Sequence, residues 1–274
     1  MTASKGYRRF PFGSRCMIAR LFKRRQGAPP PVPRIPEGQR VYAVGDIHGR
    51  LDLLDELLAM IARDDAERGP TETTIIFLGD LVDRGPESAG VVERLRQLAG
   101  TDCRLRLLTG NHEEVFCHAI LDDGDESLKF FCRIGGRETI LSYGISEADY
   151  NAMGYPELKV ALVDLVPESH LNFLAGFEDL IEMGDYLFVH AGIRPDIPLS
   201  EQRLRDLRWI REPFLSHASP HCRMVVHGHT ILPDVDLQPN RIGIDTGAYA
   251  SGKLTAIGLQ GEARWILQTE GDAL

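Results

Sequence analysis

Five apolar runs in this 274-residue chain each give way to glycine-flanked Asp, His or Asn, so burying the runs also gathers those polar groups. VYAVG (41–45) leads into GDIHG, TTIIFLG (73–79) into GDLVDRG and RLRLLTG (104–110) into GNHE. Later, YLFVHAG (186–192) carries His190, and RMVVHGH (223–229) carries His227 and His229. Short, β-branched and bounded by glycine, the runs read as buried strands. After the first, Leu51, Leu54, Leu58 and Ile61 recur at helical spacing. A second helix is expected over about 86–99 and a third from Glu113, and roughly 122–180 reads as a mainly helical insert. RIGIDTGAYASGKLTAIGLQG and then ARWILQ read as hairpin-linked strands. Strand–helix alternation early and strands late predict an α/β domain with one buried sheet or a pair of sheets.

In open α/β sheets, ligands bind where strands end, because loop amides and helix N-termini converge there. A lone Asp after a strand is usually a helix cap, and a lone His a hydrogen-bonded core residue. Asp46, His48, Asp80, Asn111, His190 and His229 together are different. As separate caps and core histidines they would leave a crowd of desolvated polar groups, which is costly. A metal cluster accounts for all six. Carboxylate, imidazole and carboxamide without thiolate suit manganese, iron or zinc. Six ligands exceed what one tetrahedral zinc uses. Two ions roughly 3.5–4 Å apart, bridged by one carboxylate, fit better.

The five cysteines are scattered, with no CxxC pair, which favours free thiols and a reducing, cytoplasmic setting. No apolar run reaches the roughly 18–20 residues of a membrane span. The net charge of −9 is unevenly spread: up to Pro36 there are nine basic residues and no acid, leaving about −18 for the rest. An acidic body argues against nucleic acid as a partner. The basic, Pro-rich segment 1–39 reads as a flexible tail, and MIARLFKRR from Met17 as a short amphipathic stretch able to touch a membrane surface or an anionic partner.

In chain order GDIHG, GDLVDRG, GNHE, HAG and GHT resemble the calcineurin-like metallophosphoesterases, and within them the phosphoprotein-phosphatase branch with its bacterial and phage members. The likeness spans about residues 40–250. It implies a catalytic domain over 40–274 with the calcineurin-like fold: two packed mixed β-sheets flanked by helices, an αββα sandwich with a helical insert. It places Asp46 and His48 on a first metal, Asp80 as the bridge, and Asn111, His190 and His229 on a second. Beyond the GH pair this chain has Ile231, as that branch does, and His227 is left as either a supporting residue or a ligand. His112 and Asp83 resemble the family's catalytic pair, an imidazolium acid held by a carboxylate. Arg84 would grip phosphoryl oxygens. Trp209-Ile210-Arg211-Glu212 fits a W-x-R-E pattern of phage members, which makes Arg211 the second clamp. Asp245 reads as structural support, and Arg137 in GGRETILSYG as a substrate contact or a surface ion pair.

The implied reaction is direct attack of a metal-bridging hydroxide on phosphoserine or phosphothreonine, with phosphotyrosine also open. The alternative is a dinucleoside polyphosphate hydrolase of the symmetrical diadenosine tetraphosphatase type. Members of that type resemble this chain throughout but usually read GDLVARG and GNHD, whereas Asp83 and Glu113 stand here. That contrast favours a phosphoprotein or phosphopeptide substrate. A catalytically dead binding module would have lost a ligand, and every expected ligand is present.

Overall fold

A computed structural model of the chain describes residues 32–273, so most of the basic segment and its amphipathic stretch lie outside the described residues. The apolar runs form strands β1 (Gln39–Val44), β2 (Glu72–Phe77) and β3 (Arg104–Leu107), with helices α1 (Leu51–Glu67) and α2 (Ser88–Ala99) between them. After β3 come six helices: α3 (Asn111–Leu121), α4 (Glu126–Phe131), α5 (Arg137–Ser142), α6 (Glu147–Ala152), α7 (Tyr155–Leu165) and α8 (Glu168–Ala175). Strands β4 (Leu180–Met183), β5 (Tyr186–Val189) and β6 (Met224–His227) follow, with helix α9 (Leu204–Trp209) between the last two. The chain closes through β7 (Asp236–Leu237), β8 (Arg241–Gly243), helix α10 (Ala248–Ser251), β9 (Thr255–Gln260) and β10 (Ala263–Gln268).

Two five-stranded mixed sheets result, in the orders β10-β9-β1-β2-β3 and β4-β5-β6-β8-β7. In the first, β1, β2 and β3 are parallel; in the second, β5, β6 and β8 are. The two-residue period of a strand sends alternate side chains to opposite faces. Val41, Ala43, Ile76, Tyr186, Phe188 and Val226 meet in the layer between the sheets. Their neighbours Tyr42, Val44 and Phe77 face Leu53, Leu54, Leu57, Val91 and Leu95 of α1 and α2. On the far side, Leu187, Val189 and Val225 pack against Leu207 and Phe214. Both faces of β1, β5 and β6, and of β2 beyond its first two residues, are thus buried, as parallel sheets require, while the edge strand β3 leaves Arg104 exposed.

Two expectations change. The tail strands are not one run of hairpins: β8 belongs to the second sheet, β9 and β10 to the first, and α10 bridges them between Gly247 and Gly252. Both glycines are left-handed, at φ of 69° and 72°, a conformation that a side chain would oppose. The body also takes in residues expected in the tail. Ile35 is fully buried, and its N–H donates to the Gly261 carbonyl at 2.9 Å.

Candidate metal centre

The parallel strands of both sheets end at one edge, and every predicted strand-end residue arrives there. The turn after β1 carries Asp46 and His48, the turn after β2 carries Asp80, Asp83 and Arg84, and α3 opens on Asn111 and His112. His190 follows β5, and His229 follows β6. Their backbone is strained at this edge. Among the described residues, His48, Asp80, Asp83, Arg84 and His229 are five of six non-glycine residues at positive φ. Such positions cost on the order of 1–3 kcal/mol each and persist where surrounding packing dictates them. Gly228 and Gly110 let carboxylates lie against the backbone: a Cβ would meet Asp46 Oδ1 at 2.0 Å and Asp80 Oδ1 at 2.2 Å.

Two groups of converging donors share Asp80: His48, Asp80 and His112, and Asp80, His190 and His229. In the second group His190 donates Nδ1–H to the Leu78 carbonyl at 2.8 Å, so its Nε2 carries a lone pair. That nitrogen faces Asn111 Oδ1 at 3.0 Å and Asp80 Oδ1 at 3.4 Å. Three acceptors pointing at one another call for a cation. Asn111 Oδ1 also lies 2.8 Å from His229 Nδ1. In the first group His48 spends Nδ1–H on the Val82 carbonyl at 2.7 Å and turns Nε2 toward Asp80 Oδ2 at 3.6 Å. This group differs from expectation, because the third donor within reach of His48 and Asp80 is His112 rather than Asp46. Asp46 is nonetheless buried beside them, with Oδ2 accepting the His229 N–H at 2.9 Å and Oδ1 without a partner.

Metal binding needs ionised carboxylate and neutral imidazole, and Asp80, His48, His190 and His229 meet that need. Burial opposes ionisation of Asp80, yet the imidazoles of His190, His112, His48 and His229 hold its carboxyl well below the usual range. Burial drives His48 and His190 below the ordinary imidazole value, and takes His229 down to about 3. Burial, with Asp245 and Asp80 close by, pushes Asp46 well above the carboxylate range. Asp46 is the exception among these groups, and a cation at its unpartnered Oδ1 would favour the ionised carboxylate. The donor set fits divalent cations.

His112 donates Nδ1–H to Asp83 Oδ2 at 2.6 Å. Burial works against the charged imidazole, but Asp80 and Asp83 outweigh it and raise its pKa. Arg84 reaches His48 Nε2 at 2.8 Å and His112 Nε2 at 3.0 Å, so its guanidinium lies across the mouth of the site.

Residues 39–251 match the family described as calcineurin-like phosphoesterase. The chain belongs to that family. Among known proteins it is 27% identical over 236 residues to the asymmetrical bis(5'-nucleosyl)-tetraphosphatase PrpE of Anoxybacillus flavithermus, covering 78% of this chain and 88% of that one. Over 72 residues it is 42% identical to a symmetrical bis(5'-nucleosyl)-tetraphosphatase of Yersinia enterocolitica, covering 26% of this chain and 22% of that one. A solved structure assigned as a diadenosine tetraphosphatase superposes with a TM-score of 0.60 at 22% identity, over 84% of this chain and 93% of its own. A protein serine/threonine phosphatase from Saccharomyces cerevisiae does so at 0.52 and 15% identity, over 86% and 81%. At those identities the two structures share the fold.

Around the centre of this phosphoesterase stand further supporting residues, of which Thr139, Ser88 and Tyr249 are singled out by no linear pattern. Thr139 of α5 donates to Asp83 Oδ1 at 2.7 Å, and the Asp83 N–H reaches Thr139 Oγ1 and Ser88 Oγ at 2.8 and 3.0 Å. The insert therefore fixes the carboxylate that holds His112. Tyr249 of α10 places its ring 5.0 Å from the Arg84 guanidinium and 5.5 Å from the His48 ring. Glu113 accepts N–H groups from Asp80, Leu81 and Gly110 at 2.8, 2.7 and 2.9 Å, tying the loops after β2 and β3 together. Burial raises its pKa to about 7. Asp245 is buried against Asp46, which fits a supporting place; burial raises it to about 6. His227 joins neither donor group; its ring lies edge-on to Phe214, 5.0 Å between centroids. Arg137 pairs with Glu138 and Glu147, the ion-pair alternative of the two expected. Arg211 is exposed, and its charge adds to the depression of His229.

Proposed function

We propose that this chain hydrolyses phosphoserine and phosphothreonine in proteins, with His112 as the acid that protonates the leaving alkoxide and Asp83 as the carboxylate that orients it. The observation that carries this reading is the 2.6 Å bond from His112 Nδ1 to Asp83 Oδ2, with Asp83 locked in turn by Thr139. An alkoxide is a poor leaving group and has to gain a proton as the P–O bond breaks. A raised imidazole pKa keeps that proton available near neutral pH. Asp46, His48 and Asp80 would hold one divalent cation, and Asp80, Asn111, His190 and His229 a second, with manganese the favoured ion. When bound, such a pair polarises the phosphoryl oxygens and lowers the pKa of water. Arg84 has two guanidinium nitrogens free to leave the imidazoles for phosphoryl oxygens, a charge-assisted fork. Arg211 would supply the opposite side of the clamp.

A second reading rests on the comparisons. The relatives named bis(5'-nucleosyl)-tetraphosphatase favour a dinucleoside polyphosphate as substrate. There the leaving group is a nucleotide phosphate, which needs less protonation, and the Asp83–His112 pair would matter less. The two readings separate in one assay: kcat/KM of the manganese-loaded protein on a phosphothreonine peptide and on diadenosine tetraphosphate, with Asp80→Asn as the blank. A preference of at least about 100-fold for the peptide is expected if protonation of the alkoxide is what His112 and Asp83 do. A comparable preference for the dinucleotide overturns the first reading in favour of the second.

A further inference from the structure

Beside the metal centre lies a cavity of about 400 Å³ whose wall includes Arg194, Arg203, Arg205, Asp206, Trp209 and Arg211. It adjoins the centre through two of these. The Trp209 ring stands 6.5 Å from that of His229, and Arg211 follows two residues after Trp209. Trp209 is held in place by its indole N–H, which donates to Glu114 Oε2 at 2.6 Å.

The cavity is strongly positive for a molecule of this charge. Arg194 is neutralised by Asp206 at 3.0 Å, and the remaining carboxylate on the wall, Glu212, is bonded by the Ser216 hydroxyl. Arg203, Arg205 and Arg211 are exposed and take part in no ion pair among the described residues. Four arginines against two carboxylates leave the wall at +2, in a body whose residues beyond Pro36 sum to about −18. Several arginines elsewhere are matched, Arg40 by Asp65, Arg106 by Glu178, and Arg208 by Glu114 and Asp179. Guanidinium groups left unmatched around one cavity repel one another, and an anion relieves that repulsion. Their planar forks of N–H donors match phosphate oxygens best among common anions.

We propose that this cavity is a subsite for a second phosphate group of the substrate, carried on the same molecule as the phosphate at the metal centre. The proposal rests on the phosphoesterase reading of that centre. It adds that the preferred substrate bears at least two phosphates, supplied either by a polyphosphate chain or by a doubly phosphorylated peptide. Arg211 lies between the two positions, and Arg203 and Arg205 contact only the second phosphate.

The test compares the manganese-loaded wild type with the double variant Arg203→Ser/Arg205→Ser. Both side chains are exposed, so the fold tolerates their loss, and p-nitrophenyl phosphate turnover serves as the check on the centre itself. Inorganic tripolyphosphate and orthophosphate are titrated calorimetrically into each protein. The wild type is expected to bind tripolyphosphate at least about tenfold more tightly than orthophosphate, and the variant to lose most of that margin while orthophosphate binding and p-nitrophenyl phosphate turnover stay unchanged. An equal margin in both proteins overturns the subsite. Failure of p-nitrophenyl phosphate turnover in the wild type would instead strike the phosphoesterase reading and leave the binding comparison to decide the subsite. Rates identify the source. A roughly tenfold fall in kcat/KM confined to diadenosine tetraphosphate assigns a polyphosphate chain, and one confined to a doubly phosphorylated peptide assigns a peptide. No fall on either contradicts the proposal.

Discussion

Two demands meet at Asp83. Its carboxylate must stay fixed to orient His112, and its backbone must turn at a φ of 75° to bring it there. Thr139 and Ser88 meet both by bonding the carboxylate and the N–H of the same residue. If His112 acts as the leaving-group acid, the value of Asp83 depends on how poor the leaving group is. Asp83→Asn is expected to lower kcat on a phosphothreonine peptide by about 100-fold and on p-nitrophenyl phosphate by less than about tenfold. Equal losses on both would mean that Asp83 does something other than support protonation. Asp83 is legible in the sequence because it follows an apolar run within a few positions. Thr139 is not, since its contact joins residues 56 apart and the stretch GGRETILSYG marks Arg137 rather than Thr139.

Among the elements, α3 ties the site together. Its first turn supplies Asn111 and His112, and its Glu113 receives N–H groups from the loops after β2 and β3. An apolar replacement would strand those buried donors, each worth roughly 1–3 kcal/mol when left unsatisfied. Glu113→Ala is therefore expected to lower stability by about 3 kcal/mol or more in urea unfolding of the metal-free protein. A loss under about 1 kcal/mol would show that water or a shifted loop satisfies the donors. The strands and α1 are legible because period and glycine boundaries are local signals. The exchange of sheets between β8 and β9 is not. Nothing in RIGIDTGAYASGKL distinguishes a hairpin from two strands that part across α10, because the choice is made by which sheet completes its layer.

Taken as a whole molecule, the fold brings two sheets into register so that their parallel strands end at one edge, and the site exists only where they meet. Asp46, His48, Asp80, Asn111 and His112 come from the first sheet's loops, His190 and His229 from the second's. The ligand types are legible in the sequence, while their grouping around Asp80 depends on how the layers pack. The arginines of the adjoining cavity lie outside the strand-end pattern; of these, the W-x-R-E pattern alone marks Arg211. The most direct test of the account is to strip the protein with a chelator, titrate manganese back, and follow bound metal and phosphoester hydrolysis together. Binding of about two ions per chain is expected, with full turnover returning only as the second is bound, and with Asp80→Asn holding fewer ions and losing activity by about 1000-fold or more. Full turnover with one ion or none would contradict the account.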